Sequence, residues 1–144
     1  MNYRTVRTLI AIISVLLFVQ YGLGIVVNLF AVIPPDIPLA FFSYSAGIEV
    51  LAHIVNGSLI LIIAVGIVAI SATLSNHLLP RLALLALIFV AAAVATGLIF
   101  TLQGQNPAFS IAMAMSFISA YTVYFGAYFV SGPIMTSESR TANS

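Results

Sequence analysis

Four stretches of this chain stay apolar for about 20 residues or more, the length a helix needs to cross ~30 Å of hydrocarbon. They cover about 9–32, 47–74, 82–102 and 108–130. A chain built from them has too little charge to cover a globule in water. Only 5% of its 144 residues are charged, 62% are hydrophobic, and the mean hydropathy is +1.23. A soluble domain carries about a quarter charged residues, so lipid must be the solvent for most of this surface. The expected fold class is all-α: one four-transmembrane-helix bundle over 1–133. A polar tail over 134–144, small in its residues, is expected to be disordered.

The breaks between the runs carry ordinary punctuation. Pro34, Pro35 and Pro38 keep the first connection out of helix. Ser75 and Asn76 precede Pro80, which suits the first turn of the third helix. Asn106-Pro107 reads as a cap followed by proline at the first helical position. Gly132-Pro133 ends the fourth run. Arg4 and Arg7 before a long apolar core, with no convincing cleavage site, read as an uncleaved signal anchor. With four spans, Arg4, Arg7, Arg81 and Arg140 all fall on one side, and Asp36 and Glu49 on the other. The positive-inside rule makes the arginine side, with both termini, cytoplasmic and the protein a multi-pass protein of the cell membrane.

Other classes are excluded. The chain has no cysteine, so disulfide exchange, thiolate metal sites and cysteine nucleophiles are ruled out. No basic patch exists to suit a nucleic acid. The partners that remain are the lipid bilayer and, through apolar helix stripes, a second copy of the chain or a larger membrane complex. Without tryptophan, Tyr124, Tyr128 and Phe129 are expected to form the inner aromatic belt.

The segment "GIEVLAHIVNG" places Glu49, His53 and Asn56 at the start of the second span. At 100° per residue the three share an arc of roughly 60°, and Gly57 lies beside it. An ionisable group within a membrane helix is costly and usually faces a cavity or a partner. The other helices carry polar residues at the same end: Gln20, Gly24 and Asn28 on the first, Thr101 and Gln103 on the third, Asn106 and Ser110 on the fourth. An outward-facing polar pocket formed by Gln20, Asn28, Glu49, Asn56, Gly57, Thr101 and Ser110 around His53 is expected, above a dry inner half. Glu49 equally suits a helix first turn at the headgroup level. Gln20, Asn28 and Asn56 equally suit interhelical hydrogen bonds, and the stripes Ala93-Gly97 and Ala112-Ser116-Ala120 suit close helix packing. His77 reads as a solvated loop residue.

Four-helix membrane bundles often hold b-type haem between facing helices. His53 and His77 are separated by on the order of 35 Å along one helix and its loop, so they cannot share an iron. Met113 and Met115 lie at the depth of His53, but two residues apart they point to different faces, and only one could reach. Packing is the competing role for both.

The four-span plan, with Glu49-Val50-Leu51-Ala52-His53-Ile54 opening the second helix, resembles one half of the haem A synthase family, over helices two to four. That family carries E-x-x-H-R here. In this chain the acid-to-histidine spacing is one residue longer and the arginine is absent. The family's fourth-helix histidine is also missing, replaced by "SIAMAMSFISAY". The resemblance implies a haem-handling or electron-transfer protein with haem b on His53, with Met113 or Met115 as the candidate second ligand. The missing histidine argues against enzymatic activity. The stretch "QYGLGIVVNLF" before a proline-rich loop also resembles small four-span membrane proteins of bacteria and archaea, which implies no function. The alternatives are an accessory or structural subunit, or a small-solute transporter using Glu49. Small multidrug transporters have four helices and one membrane carboxylate, but theirs comes with a tryptophan this chain lacks.

Overall fold

The computed structural model describes residues 3–31, 47–103 and 105–141, with side chains as far as Gly132. Four helices follow one another: α1 Tyr3–Phe30, α2 Ile48–Ser71, α3 Leu78–Leu102 and α4 Pro107–Thr141. All four are long and apolar enough to cross a membrane, α4 over Pro107–Gly132. The protein is therefore a multi-pass membrane protein. Each helix packs mainly on its neighbours in sequence, and α4 closes the ring against α1. The order around the bundle is α1-α2-α3-α4.

A buried seam on each helix explains this arrangement. On α1 it is Val6, Ile10, Ile13, Leu17 and Gln20; on α2, Ile60, Ala64, Ile67 and Ser71. On α3 it is Leu79, Ala83, Ala86, Val90 and Ala93; on α4, Ala120, Tyr124, Ala127 and Ser131. These steps of three and four residues are the interior positions of an antiparallel bundle. Lipid does not drive helices together hydrophobically, so small residues that allow close approach do much of the packing. α3 and α4, the pair in most extensive contact, fit this rule: half or more of their seam residues are Ala or Ser.

The two ends are tied differently. At one end the Tyr3 hydroxyl lies 3.1 Å from Ser75 Oγ and accepts the Asn76 amide at 3.2 Å. The Arg7 guanidinium stacks 4.5 Å from the centre of the Tyr128 ring. Arg4 and Arg81 belong to this arginine end too. At the far end Gln105 donates to the Ala31 carbonyl at 3.0 Å, and Ser110 donates to Asn28 Oδ1 at 3.3 Å. Gln105 sits in the left-handed region, at φ 60°, where α3 turns back into α4. Asn106 Oδ1 caps α4 by accepting the Ala108 amide at 3.0 Å.

Several expectations change. The first and third helices begin six and four residues earlier than the apolar runs alone suggest. Arg4, Arg7 and Arg81 are polar but good helix formers, so the helices extend past the hydrocarbon. α4 does not stop at Pro133: its backbone is helical as far as Thr141, where a disordered tail is expected. Proline removes one hydrogen bond, while extending an existing helix costs far less than starting one. Tyr124 is not part of an aromatic belt; it is fully buried on the α4 seam. Phe129 is exposed and Tyr128 is half-buried under Arg7. The connection at 32–46, with its prolines and Asp36, and the last three residues lie outside the described residues.

Candidate functional site

Between the four helices, in the half away from the arginine end, lies a cavity of about 280 Å³. That is near the lower end of the ~300–1,000 Å³ typical of pockets for drug-sized ligands. Below it, Ile60, Ala64, Ile67, Ala83, Ala86 and Tyr124 fill the bundle.

α1 contributes Gln20, Gly24, Val27 and Asn28 to the wall, a row at one-turn spacing. α2 contributes His53, Ile54, Gly57, Ser58 and Leu61, with Val50 above and Ile60 below. α3 brings Val90, Ala93, Val94, Gly97, Leu98, Phe100 and Thr101, and α4 brings Met113 and Phe117. The wall is mostly apolar, with neutral polar groups at a few points. Among the described residues that line it, His53 is the one titratable side chain.

His53 begins the second turn of α2, about 8 Å past Ile48 at 1.5 Å per residue. Its ring is wedged against α1: a Cβ on Gly24 would stand 3.4 Å from Cε1 and 3.9 Å from Nδ1. Nδ1 is buried with no hydrogen-bond partner among the described residues. The backbone behind the ring is held firmly. Gln20 donates from Nε2 to the His53 carbonyl at 3.0 Å. Asn56 donates from Nδ2 to Gln20 Oε1 at 2.7 Å and to the Leu16 carbonyl at 3.1 Å. Gly57 leaves room for this amide pair, since a Cβ there would stand 3.1 Å from Gln20 Nε2.

Of the residues expected to surround His53, Gln20, Asn28, Gly57 and Thr101 line the cavity. Asn56 does not; its amide is spent on α1. Glu49 does not either. Its carboxylate folds back over Gly47, whose φ of 91° leaves no room for a side chain there, and no Glu49–His53 bond forms. Ser110 reaches Asn28 at the rim rather than the cavity. Met113 lines the wall, with its sulfur 3.2 Å from where a Gly97 Cβ would be. Met115 points out of the bundle and is 60% exposed, as its two-residue offset from Met113 requires. His77 is exposed at the start of α3 and makes no capping bond.

Sequence reasoning missed the apolar walls. Ser58, Val94, Leu98 and Phe117 each stand one turn from a wall residue on the same helix, so one-turn rows were the available signal. No family model matches the chain, and no curated protein and no solved structure matches it.

Proposed function

We propose that this protein sits in the cell membrane with its arginine end in the cytoplasm and binds a small uncharged ligand in the four-helix cavity through His53. One observation carries the reading: an imidazole on a mostly apolar wall with a buried nitrogen left without a partner. An unmet buried polar atom costs about 1–3 kcal/mol. A ligand hydroxyl or carbonyl that draws the ring off Gly24 toward the cavity offsets that cost, while the apolar wall takes the rest of the ligand.

The donor set fits haem poorly. His53 can supply one axial ligand and Met113 a thioether. Haem also brings two carboxylates, and no arginine or lysine lines this wall. Transport through the bundle is disfavoured because Glu49 lies off the cavity and the side chains below it fill the axis. An accessory role remains the outcome if nothing binds.

The test is photolabelling in nanodiscs with a diazirine-bearing phenol, followed by peptide mapping. Saturable labelling of the cavity wall should weaken about tenfold in His53→Phe, equivalent to about 1.4 kcal/mol. Equal labelling of both proteins overturns the reading. A haem absorption band gained on adding haem, and lost in His53→Ala, would replace it with the haem reading.

A further inference from the structure

The cavity is walled by half-buried side chains toward α4 and by the filled seam toward the arginine end. Between α2 and α3 it is not closed. Ser58, Val94 and Leu98 line the cavity and are also exposed on the outside of the bundle. Val94 and Leu98 are one turn apart and form one edge of this opening. Ser58 forms the other. Counted at 1.5 Å per residue from Ile48 and Leu102, the opening spans roughly 6–15 Å below the far ends of the helices. That depth lies within ~30 Å of hydrocarbon, so the opening faces lipid tails.

The Ser58 hydroxyl adds an independent observation. Ser14, Ser71, Thr96, Thr101, Ser116 and Ser131 all return their hydroxyls to a carbonyl of their own helix. Among the described residues Ser58, like Thr5, Thr8 and Ser119, makes no hydrogen bond, and of these only Ser58 lines the cavity. A hydroxyl at this depth has no water to turn to, so a polar head passing through the opening on its way to His53 meets a group able to bond it.

We propose that the gap between α2 and α3 is a lateral window through which the site takes an amphiphile dissolved in the bilayer. Its uncharged hydrogen-bonding ring head, of the phenol or quinone class, sits at His53. Its apolar tail leaves past Ser58, Val94 and Leu98 into the lipid. This rests on the binding reading above and adds the ligand class and its route. The head is uncharged because, among the described residues, no arginine faces the cavity to meet a phosphate. The tail lies outside because a cavity of about 280 Å³ offers a lipid-length chain no room beside the head.

Two probes separate this from the reading it depends on. The short probe is the diazirine-bearing phenol. The long probe is a phenol with a dodecyl chain that carries the diazirine at its far end. In wild-type protein the long probe should mark the lipid-facing sides of α2 and α3 beside the window. Ser58→Phe and Val94→Phe should each cut its saturable labelling by about tenfold or more, as misfit in an apolar site does. Both variants should melt in detergent as wild type does. Because Ser58 and Val94 also line the cavity, the short probe should lose some labelling but far less than the long one; equal loss of both probes overturns the window. Ile88→Phe, exposed on α3 away from the window, should change neither. Long-probe labelling that survives both window variants overturns the window and leaves the site standing. So does a chain-to-chain crosslink at Ser58 in place of probe labelling, which would put a second copy in the gap. Loss of saturable short-probe labelling in wild type instead breaks the binding reading itself.

Discussion

Gln20, Asn56 and His53 behave as one unit. Gln20 is 2% exposed and both of its amide atoms are used, one on the His53 carbonyl and one on Asn56. Interhelical hydrogen bonds in membranes average about 0.6 kcal/mol and reach about 1.7 kcal/mol, less than their burial suggests. This pair should lie toward the upper end, because Asn56 also grips the Leu16 carbonyl. A double-mutant cycle of Gln20→Leu and Asn56→Leu should give a coupling of about 1–1.5 kcal/mol in detergent unfolding. Strict additivity would mean that the two amides act separately. The sequence placed Glu49, His53 and Asn56 on one arc, yet the three side chains part company: to Gly47, to the cavity and to α1. Helix phase says which side a residue is on. It does not say which neighbouring helix stands nearest, and at an edge between two helices a few tens of degrees decide the partner.

α3 shows how far an element can be read from its pattern. The stripe Ala93-Gly97 suits a close approach, and Ala93 is buried on a seam that Ala83 and Ala86 continue toward the arginine end. Gly97 differs in meeting a side chain, the Met113 sulfur, at 3.2 Å from its would-be Cβ. Gly97→Leu should therefore force Met113 aside and cost about 1–3 kcal/mol, the usual penalty of overpacking. Ile88→Phe, facing lipid, should stay within about 0.5 kcal/mol of wild type, as surface changes do. Equal melting temperatures in detergent for the two variants would show that α3 and α4 do not meet at Gly97. Element ends were less legible than element faces. Hydropathy marks where hydrocarbon contact stops, whereas the helix continues for as long as its backbone bonds propagate, as α1 does to Tyr3 and α4 to Thr141. Tyr124 was misread for a related reason: aromatic residues clustered near a span end suggest a belt, but the Ala120-Tyr124-Ala127 row turns this one inward.

The four spans were readable from apolar run length, though not their ends, and the short connections from α2 to α3 and from α3 to α4 keep those helices adjacent. The apolar cavity was not readable, because the absent side chains of Gly24, Gly57 and Gly97 are answered by His53, Gln20 and Met113 packing in, and the space left beside those contacts is set by all four helices. Only the packed bundle brings those absences together. The contacts Tyr3–Ser75 and Arg7–Tyr128 gather the start of α1, the α2–α3 connection and the end of the α4 span at one end. Arg4, Arg7 and Arg81 are there as well, which by the positive-inside rule supports the proposal that this end is cytoplasmic. A chain without cysteine lets single introduced thiols report each side. His77 suits the α2–α3 connection better than Ser75, whose hydroxyl is engaged with Tyr3; His77 is exposed and its side chain caps nothing. In intact cells an impermeant maleimide should label Ser43→Cys and leave His77→Cys and Ser137→Cys untouched until the membrane is permeabilised. The inverse pattern would place the arginine end outside. Labelling of only one of His77→Cys and Ser137→Cys would put the two positions on opposite sides, which two crossings between them, α3 and α4, cannot produce.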